Sequence, residues 1–385
     1  MTEIVPYNAI NVLLEVTERC NLRCAYCFHA NSGYAANIMS EEVFRLICEL
    51  VFPQHSHIQM LWHGGEPLAV ERPYIEKLLN IQKDYIERYG NKVINTIQTN
   101  GTLIDEDVVN MLFENDFSVG ISFDGPTNEV TRGRTQDVLH GLKILKERDV
   151  KHVGVITVVS GVNVNSLLDS YELMKEMGVH VDYNSIVLTG GASADSALRL
   201  DLNDFNESMI NLFDAWFDDE SCSITVNPFY SYVHDIVLDS SSKCWHTSCL
   251  GRWINIKPSG DVFPCSREFP AEYSYGNVKV VSTMDELLSS KSFQSLLGDT
   301  VSRREKCMRK CRLYKHCQGG CTCNALTESG ITEIGGFHCL AYQTLFSHAE
   351  SRVANAMRSG AHDGYGGTNP QVADLLNRRL VPNDS

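Results

Sequence analysis

Three cysteines near the start of the chain have the spacing of metal-cluster ligands. Cys20, Cys24 and Cys27 are separated by three and then two residues and follow an apolar run. Four-iron clusters normally take four cysteine ligands, so three thiolates would leave one iron open to a small molecule. Zinc is the alternative, because it takes four closed ligands or three with an open position. The nearest further ligand is His29.

The remaining cysteines are also grouped. Eight of them form two further sets: Cys244, Cys249, Cys265, Cys307, Cys311, Cys317, Cys321 and Cys339. In a reducing compartment such spacing indicates metal ligands rather than disulfides. Two zinc ribbons fit this spacing almost as well as two iron–sulfur clusters. Cys48, Cys222 and Cys323 lie outside the sets and are interpreted as structural thiols.

The composition describes an ordinary folded protein with an acidic balance. The 385 residues are 43% hydrophobic, and 48 acidic residues outnumber 33 basic ones, for a net charge of −15. This balance argues against nucleic acid, because binding a polyanion needs clustered cations. No secretory signal is evident, and no apolar stretch reaches the roughly 20 residues of a membrane span. We therefore expect a cytoplasmic protein with neither a membrane nor a nucleic-acid partner.

Short apolar runs alternate with longer amphipathic ones between residues 10 and about 220, which predicts parallel strands joined by helices. The expected strands are 10–16, 58–62, 93–98, 117–123, 152–159 and 180–186. The expected helices are 40–51, 72–89, 106–114, 136–148, 165–176 and 203–217. In parallel α/β folds the chemistry gathers at the carboxyl ends of the strands.

Distinctive segments follow four of these strands. The first runs into the cysteines, and the others end in His63-Gly64-Gly65-Glu66-Pro67, Gln98-Thr99-Asn100-Gly101 and Ser122-Phe123-Asp124-Gly125-Pro126. Paired glycines allow the backbone to approach a ligand closely. Together with the cysteine spacing, these segments closely resemble the radical S-adenosylmethionine (radical SAM) superfamily. The resemblance implies an α/β fold, a partial (β/α)6 TIM-type barrel over residues 1–225.

The same resemblance implies the cofactors of this domain. A four-iron cluster on Cys20, Cys24 and Cys27 would bind SAM at its open iron, where an electron cleaves SAM to a 5′-deoxyadenosyl radical. No catalytic residue can be chosen from the sequence.

Several SAM contacts are implied by matching positions. Gly64, Gly65 and Glu66 correspond to the segment that binds the SAM amino group. Ser122 and Asp124 correspond to residues near the ribose.

An arginine is also expected at the SAM carboxylate, a task that suits a forked donor. Arg134 stands at the family's offset, and Arg132 is a competitor because the intervening residues depart from the family pattern. Tyr26 and Phe28 are expected to face the cluster or the adenine.

The later cysteines resemble the SPASM domain, a small Cys-rich module that holds two auxiliary four-iron clusters in radical SAM peptide and protein maturases. We expect it over residues 226–345. The resemblance implies two interleaved ligand sets, the first Cys244, Cys249, Cys265 and Cys321, the second Cys307, Cys311, Cys317 and Cys339. The chain departs from the family in having three residues instead of two between Cys307 and Cys311. Eight ligands leave no open iron, so these clusters are expected to carry electrons, and three 4Fe-4S clusters are expected in all.

The end of the chain, residues 346–385, is expected to form a C-terminal helix and a flexible tail. Residues 372–380 within it have the pattern of a short docked helix.

Two reactions compete under this resemblance. The first is oxidative crosslinking of a ribosomally made peptide, through a thioether or a carbon–carbon cyclophane bond. The second is formylglycine formation by an anaerobic sulfatase maturase. Those maturases carry an Asp after the cysteine that corresponds to Cys265, where this chain has Ser266. A base is needed there, so the sequence favours crosslinking, with Glu268 as a substitute base that keeps sulfatase maturation open.

Two more functions are compatible with these motifs. Peptide epimerisation stays open because Cys222 or Cys323 could donate a hydrogen atom. A metal-binding scaffold without turnover is also compatible, and about 12 irons per chain would distinguish the enzyme from it.

The reaction class also implies partners. We expect a ribosomal precursor peptide as substrate and an electron donor such as flavodoxin or ferredoxin. Because the first strand begins near residue 10, we expect a leader to be recognised either by the surface of the barrel and SPASM domain or by a separate leader-binding protein.

Overall fold

The computed structural model describes residues 8–29, 37–242, 244, 249–267, 269–363, 365 and 367–380. Glu268, the candidate substitute base, lies outside these residues.

Ten strands form one open, mostly parallel sheet. They are β1 (Ala9–Thr17), β2 (His57–Gly64), β3 (Lys92–Thr99), β4 (Ser118–Ser122), β5 (Val153–Val159), β6 (His180–Ser185), β7 (Val226–Asn227), β8 (Trp253–Ile256), β9 (Asp261–Phe263) and β10 (Gly276–Asn277). The spatial order is β10-β9-β8-β1-β2-β3-β4-β5-β6-β7, and only the pairs β8–β9 and β9–β10 are antiparallel. Because β7 and β10 are edges, the barrel is partial, as expected.

Fifteen helices are present in the described part of the chain. They are α1 (Glu41–Val51), α2 (Arg72–Tyr89), α3 (Glu106–Glu114), α4 (Asn128–Thr131), α5 (Thr135–Glu147), α6 (Leu167–Met177), α7 (Gly191–Ala194), α8 (Leu202–Phe217), α9 (Phe229–Leu238), α10 (Met284–Leu288), α11 (Lys291–Lys310), α12 (Tyr314–Cys317), α13 (Thr322–Glu328), α14 (Phe337–Asp363) and α15 (Pro370–Leu380). The six strands and six helices predicted for the first domain agree with these bounds to within two residues.

Local sequence explains where these elements begin and which face they bury. The Ser40 side chain accepts a hydrogen bond from the Val43 amide at the start of α1, which satisfies a free helix donor. Trp62 of β2 packs on Phe44 of α1, with ring centroids 5.8 Å apart. Side chains alternate along a strand, so the neighbouring His63 points to the opposite face, into the barrel.

The two domains share the sheet. Strand β8 pairs in parallel with β1 on the side that β2 leaves free. The predicted boundary at residue 225 falls just before β7, which pairs with β6, so the sheet of the first domain continues past it.

The end of the chain docks on the barrel. Asp214 of α8 accepts hydrogen bonds from His348 (2.8 Å) and Arg352 (2.5 Å) of α14. Helix α15 buries Val372 and Leu375 completely, in agreement with the docked helix predicted over 372–380. In the part of the chain that the structure describes, no helix is long and apolar enough to cross a membrane.

Candidate active site

The first cysteine set occupies the loop that leaves β1. Cys20, Cys24 and Cys27 are all half-buried there. Burial raises the pKa of the Cys20 thiol to about 11, and the nearby Cys24 and Cys27 add to this rise. Metal ligands must be thiolates, and the buried Cys20 thiol stays protonated at neutral pH unless a cation is bound. The structure thus brings the three predicted ligands into one loop, and their role as cluster ligands stays a prediction.

Two glycines after β2 hold this loop by close approach of the backbone. A Cβ atom at Gly64 would lie 2.2 Å from the carbonyl oxygen of Thr17, and one at Gly65 would lie 2.3 Å from that of Arg19. The Gly65 amide donates to the Thr17 oxygen at 2.8 Å. Any side chain here would push the cysteine loop away, which explains the Gly-Gly pair.

A second glycine pair, which the sequence reasoning missed, holds the other side of the loop. A Cβ atom at Gly190 would lie 2.5 Å from the Cα of Phe28, and the Gly191 amide donates to the Cys27 carbonyl at 3.0 Å. The sequence contained a signal for it, because Gly190-Gly191 is a second Gly-Gly pair in the segment that follows β6.

Glu66 is fully buried and ties the ends of β2 and β3 together. Its carboxylate accepts from the Thr99 hydroxyl (2.7 Å), the Asn100 amide (2.7 Å) and the Leu68 amide (3.0 Å). Burial raises the Glu66 pKa to about 7, although these hydrogen bonds oppose the rise. The carboxylate therefore orients the glycine segment through three hydrogen bonds.

Asp124 is the centre of a buried polar network at the end of β4. It accepts hydrogen bonds from the Tyr26 hydroxyl, the Thr131 hydroxyl (2.7 Å) and the Val158 amide (3.0 Å). Arg132 completes the network with an ion pair of 3.1 Å from Nε. Its guanidinium also lies over the Tyr26 ring, 5.0 Å from the centroid. The network fixes Tyr26, inside the cysteine loop, against the barrel.

The two candidate arginines occupy different environments. The Arg132 side chain is 9% exposed and its charge opposes the rise in the Cys24 pKa that burial causes. The Arg134 side chain is 49% exposed and pairs with Asp137 at 2.7 Å. The structure thus brings Arg132 to the cysteine loop and leaves Arg134 at the start of α5.

The remaining predicted SAM contacts line the same end of the barrel. The Ser122 hydroxyl accepts from the Gln98 amide group at 2.9 Å. The Phe28 ring is stacked on His63 with centroids 6.4 Å apart. Burial lowers the pKa of His63 to about 4, so this imidazole is neutral at physiological pH.

The eight later cysteines gather into the two predicted sets. In the first set, the Cys249 thiol interacts electrostatically with Cys321, Cys265 and Cys244. In the second set, the Cys317 thiol interacts with Cys339, Cys307 and Cys311. None of the fourteen cysteines forms a disulfide. These interactions are compatible with the interleaved grouping, which stays a prediction, and the Cys323 thiol also interacts with Cys321 and Cys265.

The extra residue between Cys307 and Cys311 has a local explanation. Cys307 lies in the last turns of α11 and Cys311 caps that helix, with its amide donating to the Cys307 carbonyl at 2.8 Å. Both cysteines therefore lie at the C-terminal end of α11, separated by about one helical turn.

A cavity of about 510 Å³ opens onto the second set. All four of its thiols line this cavity, together with Cys321 of the first set and Arg303. An all-sulfur donor set fits an iron–sulfur cluster. Within the described ranges, no three His, Cys, Asp or Glu side chains meet closely enough to hold a single metal ion. The choice of iron over zinc therefore rests on the spacing of Cys20, Cys24 and Cys27 in the sequence and on the comparisons with known proteins.

Comparisons with known proteins agree with this geometry. The radical SAM superfamily model matches residues 14–174, and the SPASM iron–sulfur cluster-binding domain model matches residues 244–321. The cysteine-type anaerobic sulfatase-maturating enzyme of Clostridium perfringens (strain 13 / Type A) is 27% identical over 358 residues, 87% of this chain and 95% of that protein. The serine-type enzyme of Bacteroides thetaiotaomicron is 24% identical over 361 residues, 86% of each.

A solved structure is similar over nearly its whole length. It is native anSMEcpe with bound AdoMet and the Kp18Cys peptide, 25% identical, with a TM-score of 0.80 over 90% of this chain and 98% of that one.

A partial parallel barrel whose first strand runs into three gathered cysteines defines a radical SAM enzyme, one that binds SAM and iron–sulfur. With its C-terminal cysteine sets, the chain belongs to the radical SAM/SPASM enzymes and is closely related to the anaerobic sulfatase maturases.

Proposed function

We propose that this enzyme oxidises a Cys or Ser side chain of a protein substrate to formylglycine, as a sulfatase maturase does. The observation that carries the proposal is the similarity to sulfatase-maturating enzymes, which spans both domains in sequence and in fold.

The comparisons favour sulfatase maturation over crosslinking, the reaction that the sequence favoured. That earlier preference rested on a single position, Ser266.

The residues of the barrel fit SAM and its cluster. Cys20, Cys24 and Cys27 would hold the cluster, and the Gly64–Glu66 segment and Ser122 would contact SAM. Asp124 positions Tyr26 and Arg132 beside the cysteine loop. Either Arg132 or Arg134 meets the SAM carboxylate, and burial next to Cys24 supports Arg132.

Three four-iron clusters complete the proposed cofactor set. When bound, SAM and its cluster would supply the radical that abstracts a hydrogen atom from the substrate. The two auxiliary clusters would accept the electron that the resulting substrate radical must lose. The chain's part is to hold the eight later thiols in two groups, one of them around a shared cavity.

Crosslinking of a precursor peptide remains the second candidate because of one observation. The relatives' base position is occupied by Ser266, whose hydroxyl hydrogen-bonds the Cys265 thiol. An ordinary hydroxyl is a poor proton acceptor at neutral pH. A maturase of this kind therefore needs its base elsewhere, whereas a crosslinking reaction has no need of one at this position. A precursor peptide, a leader-binding protein and a flavodoxin or ferredoxin donor belong to this proposal.

One anaerobic experiment separates the two reactions. The reconstituted enzyme is incubated with SAM, dithionite and a sulfatase-derived peptide carrying Cys, Ser or Ala at the target position, with short peptides encoded beside the gene as a second substrate set. Aldehyde in the Cys or Ser peptide, captured by a hydrazide and absent from the Ala peptide, supports sulfatase maturation. Loss of two hydrogens from an adjacent peptide, with no aldehyde from any sulfatase peptide, would replace it with crosslinking.

A variant sharpens this test. Ser266→Asp restores the base that the relatives carry, so aldehyde formation is expected to rise in this variant. Ser266→Asn is the matched control, since it has similar size and no charge. An equal response of both variants would show that position 266 takes no part in proton removal.

A further inference from the structure

Arg303 is a buried cation whose hydrogen bonds all go to neutral acceptors. It lies on α11 and is 2% exposed. Its guanidinium donates to the carbonyls of Gly319 (3.0 Å), Gly320 (3.3 Å) and Ile331 (2.7 Å), and to the Thr322 hydroxyl (3.2 Å). The donors are thus satisfied while the charge is not neutralised.

No carboxylate pairs with Arg303 among the ion pairs of the described residues, whereas Arg309 on the same helix pairs with Glu305. Burying an unpaired charge is costly. The acidic groups that face Arg303 are the thiols of Cys321, Cys307 and Cys317, and a second cation, Arg304, opposes it. These thiols would supply its compensating charge once they are bound as thiolates.

Arg303 lies where the two cysteine sets meet. Gly319 and Gly320, whose carbonyls it binds, stand between Cys317 of the second set and Cys321 of the first. Both glycines have positive φ angles, 90° and 71°, a conformation that glycine adopts at no steric cost. Arg303 also lines the 510 Å³ cavity that receives thiols of both sets. One guanidinium thus holds the peptide that connects the two sets.

We propose that Arg303 is the shared counter-charge of the two auxiliary clusters and makes both of them easier to reduce. The proposal rests on the cluster content of the proposed function. A cluster held by four thiolates is negatively charged and gains one more negative charge on reduction, and net charge is one of the terms that set its potential. A fixed cation in a medium of low dielectric favours the reduced form.

This property serves the oxidation. After hydrogen abstraction, the substrate carbon radical loses one proton and one electron to become a closed-shell product. The electron enters an auxiliary cluster, which is reduced by one unit and later reoxidised by a flavodoxin- or ferredoxin-class carrier. Arg303 acts on this step through the cysteine sets and is a positioning residue.

The test compares three variants in full-length, anaerobically reconstituted protein. Arg303→Gln keeps hydrogen-bond donors and removes the charge, whereas Arg303→Lys keeps the charge and loses the planar array of guanidinium donors. Arg309→Gln, at a side chain 75% exposed on the same helix, is the matched control. Potentials are measured by electron paramagnetic resonance titration in a background lacking the cysteines of the first loop. Iron content is measured for each variant.

The Gln variant is expected to load as much iron as the control and to shift the midpoints of both auxiliary clusters to lower potential. In the intact enzyme its ratio of 5′-deoxyadenosine to product should rise several-fold. The Lys variant should keep potentials close to those of the control. A fully loaded Gln variant with unchanged potentials would overturn the proposal.

Failure to load is also informative. If only the Gln variant loses iron, the charge of Arg303 is needed for cluster assembly, which supports the proposal. If the Lys variant loses as much iron as the Gln variant, only the hydrogen bonds of Arg303 matter, and the proposal is overturned. Wild-type protein with only about four irons would refute both this assignment and the proposed electron exit. About 12 irons without aldehyde formation would refute the reaction and leave the Arg303 test intact.

Discussion

The Asp124–Arg132 pair gives the sharpest prediction for stability. Asp124 is fully buried and Arg132 is 9% exposed, and the carboxylate serves four donors in all. Asp124→Asn removes the charge with almost no change in size and leaves the guanidinium buried and unpaired. Breaking a buried pair in this way costs about 3–5 kcal/mol. That is a large part of the roughly 5–15 kcal/mol that stabilises a typical domain.

The chain supplies its own control, because the second candidate arginine forms an exposed pair. Arg134 and Asp137 are 49% and 46% exposed, and such pairs contribute about 0.2–1 kcal/mol. The assay is urea unfolding of the metal-free protein under reducing conditions, followed by the fluorescence of the buried barrel residues Trp62 and Trp216. Asp137→Asn should move the midpoint slightly and Asp124→Asn strongly.

A double variant separates the pair from its surroundings. Arg132→Met combined with Asp124→Asn should lose less stability than the sum of the two single variants, because the unpaired charge is gone. Strict additivity, or an Asp124→Asn effect no larger than that of Asp137→Asn, would refute the assignment of this network as the support of the cysteine loop.

Three further predictions concern the loop and its neighbours. Cys20→Ala should abolish SAM cleavage, whereas Cys317→Ala should retain cleavage and lose product; 5′-deoxyadenosine formed by the Cys20 variant would contradict the assignment. Burial raises the Glu66 pKa from 4.5 to about 7, so between these two pH values the folded protein keeps a proton that the unfolded chain releases. The free energy of unfolding should therefore fall by about 3 kcal/mol as the pH rises from 4.5 to 7. Glu66→Gln should remove this pH dependence when the free energy of unfolding is measured by denaturation at each pH. Gly190→Ala should reduce iron loading of the first site, because its Cβ would lie 2.5 Å from the Phe28 backbone; iron content equal to wild type would show that this contact yields freely.

The sequence anticipated whatever depends on local pattern. The bounds of α2 and α3 follow from apolar spacing and caps. The three cysteines of the first loop lie within eight residues of one another, so their spacing alone indicated a common site. The pairing of β1 with β8 joins Asn11 to Trp253, and no local pattern reports a contact across so many residues. Family resemblance supplied the grouping of the later cysteines for the same reason.

Single side chains were harder to place. The offset from Pro126 favours Arg134 for a role at SAM, whereas burial, which only the fold decides, favours Arg132. Arg303 occurs in a helix with many charged residues and has the appearance of a solvated surface position. Its buried environment depends on the carbonyls of a loop more than ten residues later.

The pairing of β8 with β1 has a consequence for how the molecule can be divided. A fragment ending near residue 225 would expose the hydrogen-bonding edge of β1, the strand that delivers the cysteine loop. Bare edges of this kind recruit other chains and aggregate. The barrel domain is therefore not separable from the rest of the chain: the free edge of β1 is covered only when the C-terminal domain is synthesised and folded together with it.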